Sequence, residues 1–220
     1  MTPMLKVSAT TGSYDGLIFD LDGTLWDVTH VSAKAWNLGL ERLGLSVPAI
    51  TREDIAAVTG LPYEACVAAL LPQIPKEKHS FLAATLDAAE RELLPQAGGR
   101  LYKGAAEALL LLHNRYPLFI VSNCQIWYLD WFLDWSGLRP LFQDWESYGH
   151  TGRPKADNIR LIRDRHCLQA AVYIGDTIFD YEAARAAGLN FIHLAHGFGP
   201  AADGCVSLAG FKELAAYLLS

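Results

Sequence analysis

GLIFDLDGTL, residues 16–25, is the most informative stretch of the sequence. Its apolar run, Leu17–Phe19, is typical of a buried strand. Because side chains alternate along a strand, Asp20 and Asp22 leave the backbone on the same side. Gly23 follows at once and lets the chain turn sharply. Open α/β sheets bind ligands at the carboxyl ends of their strands, so the two acids predict a functional site there.

Two carboxylates this close repel each other unless a cation lies between them or one of them holds a proton. The pair is therefore typical of a Mg²⁺ site, of a nucleophile beside an acid–base partner, or of both. The alternative is a solvated turn after an ordinary strand, since Asp and Gly are both common turn residues.

The composition predicts a folded protein whose partner is neither nucleic acid nor membrane. Of the 220 residues 51% are hydrophobic and 19% are charged, which is enough for a sizeable core. The formal net charge is −6, and the chain has no basic block. Four scattered cysteines without a CxxC pair indicate reduced thiols. The sequence also lacks a long apolar run and a signal-like start, so we expect a cytoplasmic protein.

Helix and strand patterns divide the chain into two parts. Residues 28–99 have helical periodicity throughout, including a capped start at Thr51, and Pro95–Gly99 is predicted to be a linker. After Gly99, short apolar strands alternate with helices, and a closing helix is predicted at 207–219. Such alternation is typical of a doubly wound, Rossmann-like parallel sheet. We therefore expect an α/β core and a small all-helical cap inserted after the first strand. The predicted ranges are 1–27 and 100–220 for the core and 28–99 for the cap.

Polar side chains follow two more of the predicted strands and begin one helix. Ser122 and Asn123 end one strand, Asp176 and Asp180 follow another, and Lys155 lies at a helix start. Each is individually common in turns or at helix ends. Because the carboxyl ends of parallel strands meet at one edge, we expect them in one crevice. Together they supply acids, phosphate-binding donors and a cation, which is what phosphoryl transfer needs.

These residues resemble the four motifs of the haloacid dehalogenase superfamily. DLDGT (residues 20–24) resembles the first motif, Ser122 the second, Lys155 within GRPK the third, and GDTIFD (residues 175–180) the fourth. The motifs follow one another in the family's order and cover nearly the whole chain. The resemblance implies that Asp20 attacks a phosphoryl group and that Asp22 serves as acid and then base.

The resemblance also implies a metal and a phosphate grip. Asp20, Asp22 through its backbone carbonyl, and Asp176 would bind Mg²⁺. The residues implied in binding the phosphate are Ser122, Asn123 and Lys155. The supporting residues would be Thr24 and Asp180, with Asp180 orienting Lys155 or a metal-bound water rather than binding the metal directly.

The second acid and the position of the helical insertion indicate which branch of the superfamily the chain resembles. Relatives that break carbon–halogen bonds lack an acid at the position of Asp22, and a helical cap after the first motif resembles the phosphoglycolate-phosphatase-like and β-phosphoglucomutase-like branch. Sugar-phosphate mutases of that branch carry a histidine where this chain has Ser32, although His30 is near. We therefore predict a Mg²⁺-dependent phosphatase that acts on a small phosphorylated metabolite through an aspartyl-phosphate, as a monomer or homodimer. The alternatives are a phosphotransferase or mutase of the same fold and a non-catalytic regulatory protein that binds a phosphate ligand.

The sequence gives only candidates for the residues that line the substrate pocket. For each of them, an ordinary position in the core or on the surface is as well supported as a position in the pocket. The candidates are Trp26, His30, Trp36, Arg52 and Tyr63.

Overall fold

The computed structural model describes residues 14–220, so residues 1–13 of the predicted core segment lie outside the described part. The strands are β1 (Gly16–Phe19), β2 (Trp26–Asp27), β3 (Arg100–Leu101), β4 (Leu118–Ser122), β5 (Phe142–Ser147), β6 (Ala171–Gly175), β7 (Asn190–Leu194) and β8 (Val206–Leu208). The helices are α1 (Thr29–Arg42), α2 (Arg52–Val58), α3 (Tyr63–Leu70), α4 (His79–Ala97), α5 (Ala105–His113), α6 (Ile126–Ser136), α7 (Tyr148–Thr151), α8 (Lys155–Arg165), α9 (Ile178–Ala186) and α10 (Phe211–Leu219). Between residues 14 and 220, no helix has the length and apolar character needed to cross a membrane.

Six strands form one parallel sheet in the order β5-β4-β1-β6-β7-β8. β1 lies in the interior of this sheet, and its two faces pack against different helices. Leu17 and Phe19 belong to the apolar cluster that contains residues of α5, α6 and α10, whereas Ile18 packs with α8 and α9. This alternation follows from the side-chain period of a strand, and it confirms the predicted doubly wound fold.

Helices α1 to α4 form the insertion between β2 and β3 and have an apolar cluster of their own. Trp36 and Leu40 of α1 pack in it with Leu82 and Leu86 of α4. The predicted cap at Thr51 is confirmed, because its hydroxyl accepts from the Asp54 amide and the Asp54 carboxylate accepts from the Thr51 amide. The boundaries 28–99 stay a prediction.

Two local predictions were wrong, and one pair of strands was missed. α4 continues through Pro95 to Ala97, because helical bonding resumes beyond the proline with the Gly98 amide donating to the Leu94 carbonyl. Residues 206–208 form the edge strand β8, and the closing helix begins only at Phe211. The two-residue strands β2 and β3, which pair antiparallel where the insertion leaves the core, were not predicted.

Candidate active site

The polar residues predicted to meet do meet at the carboxyl ends of neighbouring strands. Asp20 follows β1, Ser122 ends β4, and Asp176 follows β6, and all three side chains are buried. Lys155 begins α8 and is only 5% exposed. β1 pairs with both β4 and β6, so the parallel topology alone brings these positions together.

Lys155 joins two of the acids. Its Nζ donates to Asp20 Oδ1 at 2.8 Å and to Asp180 Oδ1 at 2.7 Å. The other oxygen of Asp180 accepts from the Thr177 amide at 3.0 Å and from its hydroxyl at 2.7 Å, and the Asp180 amide donates back to the Thr177 hydroxyl at 3.3 Å, which completes the capping box of α9. Both oxygens of Asp180 are therefore engaged, and its carboxylate fixes the ammonium of Lys155 beside Asp20.

Asp176 is held from two sides. Thr24 Oγ1 donates to Asp176 Oδ1 at 2.9 Å, and the backbone amide of Phe198 donates to Asp176 Oδ2 at 2.7 Å. The backbone of Gly197 also passes close by, since a Cβ on it would lie 2.2 Å from Asp176 Cβ. The role of this loop was not predicted, because a backbone amide has no sequence signature of its own.

The charges at this edge of the sheet do not balance. One carboxylate oxygen from each of Asp20, Asp176 and Asp180 can be chosen so that all three lie within 4.8 Å of one another, and Lys155 pairs with Asp20 and Asp180 but not with Asp176. Burial and then the charge of Asp180 raise the pKa of Asp20 to about 7, against the opposing effect of Lys155. Burial and then the charges of Asp180 and Asp20 raise the pKa of Asp176 well above its usual range. A buried oxygen cluster with excess negative charge fits a hard divalent cation such as Mg²⁺.

Asp22 has partners that differ from those of Asp20. Trp26 Nε1 donates to Asp22 Oδ1 at 2.9 Å, and the hydroxyl of Tyr128 in α6 donates to the same oxygen. Burial raises the pKa of Asp22 to about 6, although these two donors lower it. Because both donors contact Oδ1, the second oxygen is the one available for proton exchange. The contribution of Tyr128 was not predicted, since α6 is aromatic at many positions.

Asp20 and Asp22 both line a cavity of about 100 Å³, which has room for several water molecules. Its walls come from the core and from the insertion, with Ser122 and Asn123 at the core end. The side-chain amide of Asn123 donates to the carbonyl of Gly60, in the insertion, at 2.7 Å. This hydrogen bond links the two parts of the chain at the edge of the cavity.

The candidate pocket residues have different positions. Trp36 and Tyr63 line the cavity. Trp26 is buried beside it as a donor to Asp22, Arg52 pairs with Asp27 at 2.7 Å, and His30 is exposed. Asp87 and Glu90 of α4 also line the cavity and were not predicted.

Residues 17–194 match the family described as haloacid dehalogenase-like hydrolase. The chain belongs to this family. It is 32% identical over 190 residues to the "Probable phosphatase IndB" of Dickeya dadantii strain 3937, covering 82% of this chain and 81% of that protein. It is 29% identical over 202 residues to the phosphoglycolate phosphatase of Aliivibrio fischeri, covering 83% and 84%. The predicted family and its phosphoglycolate-phosphatase-like branch are thereby confirmed.

The fold is shared with solved structures of the same family. One is the haloacid dehalogenase-like family protein SP0104 of Streptococcus pneumoniae, with a TM-score of 0.79 at 24% identity. The match covers 93% of this chain and 98% of that chain. It supports the α/β architecture over nearly the full length.

Proposed function

We propose that the protein is a Mg²⁺-dependent phosphatase that hydrolyses the phosphate monoester of a small metabolite through an aspartyl-phosphate on Asp20. The observation that carries this proposal is the pair Asp20 and Asp22 at one cavity, with separate partners and separately raised pKa values. Family membership and the relatives that are named phosphatases support it.

Asp20 is the nucleophile in this proposal. A carboxylate oxygen of Asp20 forms a bond to phosphorus, and the bond from phosphorus to the ester oxygen breaks. Lys155 contacts Asp20 Oδ1 and holds the carboxylate in place. The same ammonium, with Ser122 and the amide of Asn123, would bind the oxygens of the transferred phosphoryl group.

Asp22 is the acid and then the base. Its protonated carboxyl gives a proton to the leaving oxygen, and the resulting carboxylate takes a proton from the water that attacks the aspartyl-phosphate. A pKa of about 6 keeps both protonation states accessible near neutral pH. Tyr128 and Trp26 orient the group through Oδ1, which leaves Oδ2 for the proton.

The residues that would hold Mg²⁺ are Asp20 and Asp176 through their carboxylates and Asp22 through its backbone carbonyl. When bound, the ion would neutralise part of the negative charge that builds up between a phosphate ester and an aspartate. Thr24 and the Phe198 amide keep Asp176 oriented, and Asp180 orients Lys155.

The insertion of residues 28–99 is proposed to be a cap that covers the site. α1 contributes Ser32 and Trp36 to the cavity wall, and α4 contributes Glu90. Such a cover would exclude bulk water from the reacting groups. Ser32 lies at the position where mutases carry a histidine, which favours hydrolysis over transfer to a sugar. The free, scattered cysteines favour a cytoplasmic location.

The direct test is hydrolysis of p-nitrophenyl phosphate and a panel of small phosphate esters, in Mg²⁺ and after treatment with a chelator. We expect phosphate release with Mg²⁺, loss of activity with the chelator, and recovery on adding Mg²⁺ back. Undiminished turnover in the chelator would contradict the metal requirement, and no turnover of any ester would contradict the hydrolase.

Gly23→Ala is expected to weaken Mg²⁺ binding about 10- to 100-fold, as loss of an outer-shell contact commonly does. A Cβ at residue 23 would lie 2.3 Å from Asp176 Oδ2, so Asp176 would have to move. The measurement is the Mg²⁺ concentration that gives half-maximal activity. Gly204→Ala is the matched control, because Gly204 also has a positive φ, +76°, but a Cβ there meets nothing within 4 Å. Equal Mg²⁺ requirements in the two variants would count against Asp176 as a ligand.

A further inference from the structure

The cavity wall carries acids but no basic side chain among the described residues. The titratable acids that line it are Asp20, Asp22, Asp87 and Glu90, and no Lys, Arg or His lines it. Lys155 lies behind Asp20 and is paired with Asp20 and Asp180. A negatively charged group on the substrate, other than the phosphate itself, would therefore meet no cation in this cavity.

Glu90 is an acid of the insertion side that pairs with no cation among the described residues. It is 6% exposed, it accepts from Trp36 Nε1 at 3.2 Å, and it takes part in none of the ion pairs of residues 14–220. Burial raises its pKa to about 7, although the neutral donors Ser32, Tyr63 and Trp36 lower it. Asp87 differs, because Arg91 pairs with it at 2.8 Å and Trp127 donates to it at 2.7 Å. Buried carboxylates are rarely left without a cation, so Glu90 is suited to receive a donor group from the ligand.

A second buried polar group lies in the same wall. The hydroxyl of Tyr63 is buried and has no hydrogen-bond partner in the described part of the chain. Its ring lies beside that of Trp36, with centroids 5.5 Å apart, and Trp36 in turn donates to Glu90. Burial, the charge of Glu90 and the approach of the Glu90 carboxylate to the Tyr63 hydroxyl raise the pKa of Tyr63, so the two groups are close neighbours. A carboxylate acceptor and a neighbouring hydroxyl thus lie together at the insertion side of the cavity.

We propose that Glu90 and Tyr63 bind a hydroxyl or ammonium group on the leaving alcohol, so that the substrates are phosphate esters of polyols or amino alcohols and not phosphorylated carboxylates. A hydroxyl or an ammonium donates a hydrogen bond to Glu90, whereas a carboxylate would place like charges together without a cation. This inference rests on the proposed phosphatase function. It separates this chain from the relatives that are named phosphoglycolate phosphatases.

Three two-carbon phosphates that differ only in their end group test the inference. They are 2-phosphoglycolate, 2-hydroxyethyl phosphate and phosphoethanolamine. We expect the kcat/KM for 2-phosphoglycolate to be at least about tenfold below that for the better of the other two. A preference for 2-hydroxyethyl phosphate would show that Glu90 receives a hydroxyl, and a preference for phosphoethanolamine would show that it receives an ammonium.

Glu90→Gln should reduce this discrimination to within about threefold, because the amide neither repels a carboxylate nor attracts an ammonium. Glu92→Gln is the matched control, since Glu92 lies on the same helix but pairs with Arg42 at the surface at 2.8 Å. If wild type prefers 2-phosphoglycolate, or if Glu90→Gln leaves the ratios unchanged, the inference is wrong.

Ligand binding gives a second readout that does not depend on turnover. The inactive variant Asp20→Asn should gain more thermal stability from the hydroxyl or ammonium ester than from 2-phosphoglycolate, and adding Glu90→Gln should remove the difference. Equal stabilisation by all three esters would overturn the inference. Failure of all esters, p-nitrophenyl phosphate included, to turn over would contradict the phosphatase instead, while the binding measurement would still decide the role of Glu90.

Discussion

Asp20→Asn is expected to lower kcat/KM for every phosphate ester at least about 10⁴-fold, because a neutral amide cannot form the bond to phosphorus. The protein should stay folded, since the amide oxygen can still accept from Lys155 as Asp20 Oδ1 does at 2.8 Å. The raised pKa of Asp20 means that its ionised form costs free energy in the folded state. Without metal at about pH 8, we therefore expect the variant to be at least as stable as the wild type.

Steady-state assays and urea denaturation of the same preparations measure the two effects. Asp203→Asn serves as the control, because Asp203 is an exposed aspartate outside the cavity. Residual activity within about tenfold of the wild type would exclude Asp20 as the nucleophile. A large loss of stability would show that the carboxylate is needed for folding.

Lys155→Met is expected to destabilise the protein by about 3–5 kcal/mol at about pH 8. The substitution removes the ammonium that contacts Asp20 and Asp180 and leaves their buried charges without that partner. Activity should also be lost, because the same ammonium would bind the phosphoryl oxygens. The free energy of unfolding from urea denaturation, in the presence of a chelator, measures the effect.

The loss of stability should depend on pH in a defined direction. The folded-state pKa of Asp20 is already raised to about 7, so the folded protein binds this proton more tightly than the unfolded chain. Lys155 lowers the pKa of Asp20, so the substitution raises that pKa further. The stability deficit of the variant should therefore be largest well above pH 7, shrink as the pH falls toward about 7, and level off below that, where Asp20 is protonated in both folded proteins. Lys212→Met, at an exposed position of α10, should be neutral. A deficit under about 0.5 kcal/mol at high pH would contradict the pairing.

The fold and the core of the site could be predicted because their signals are local. The run Leu17–Phe19 is apolar at every position, as a strand covered on both faces must be. Once the sheet is parallel, the residues after β1, β4 and β6 converge whatever the loops do. The capping pattern at Thr51 also acts over a few residues.

Features that depend on packing between distant segments were missed. The pairing of Trp26 with Leu101 spans only two residues on each strand, which is too short for any periodicity. Glu90 resembles an exposed acid in a charged helix, and its burial comes from the packing of α4 against α1. A signal did exist, because Glu90 lies in a row with Leu82, Leu86 and Leu94 at spacings of four residues.

The central claim is that Asp20 becomes phosphorylated, and Asp22→Asn with p-nitrophenyl phosphate tests it most directly. The p-nitrophenolate group leaves without a proton, so transfer to Asp20 does not need Asp22, whereas removal of the phosphoryl group does. We predict a burst of about one equivalent of p-nitrophenolate and a phosphoryl group on the peptide that contains Asp20, released by hydroxylamine. Steady release of phosphate with no label on that peptide would contradict the account.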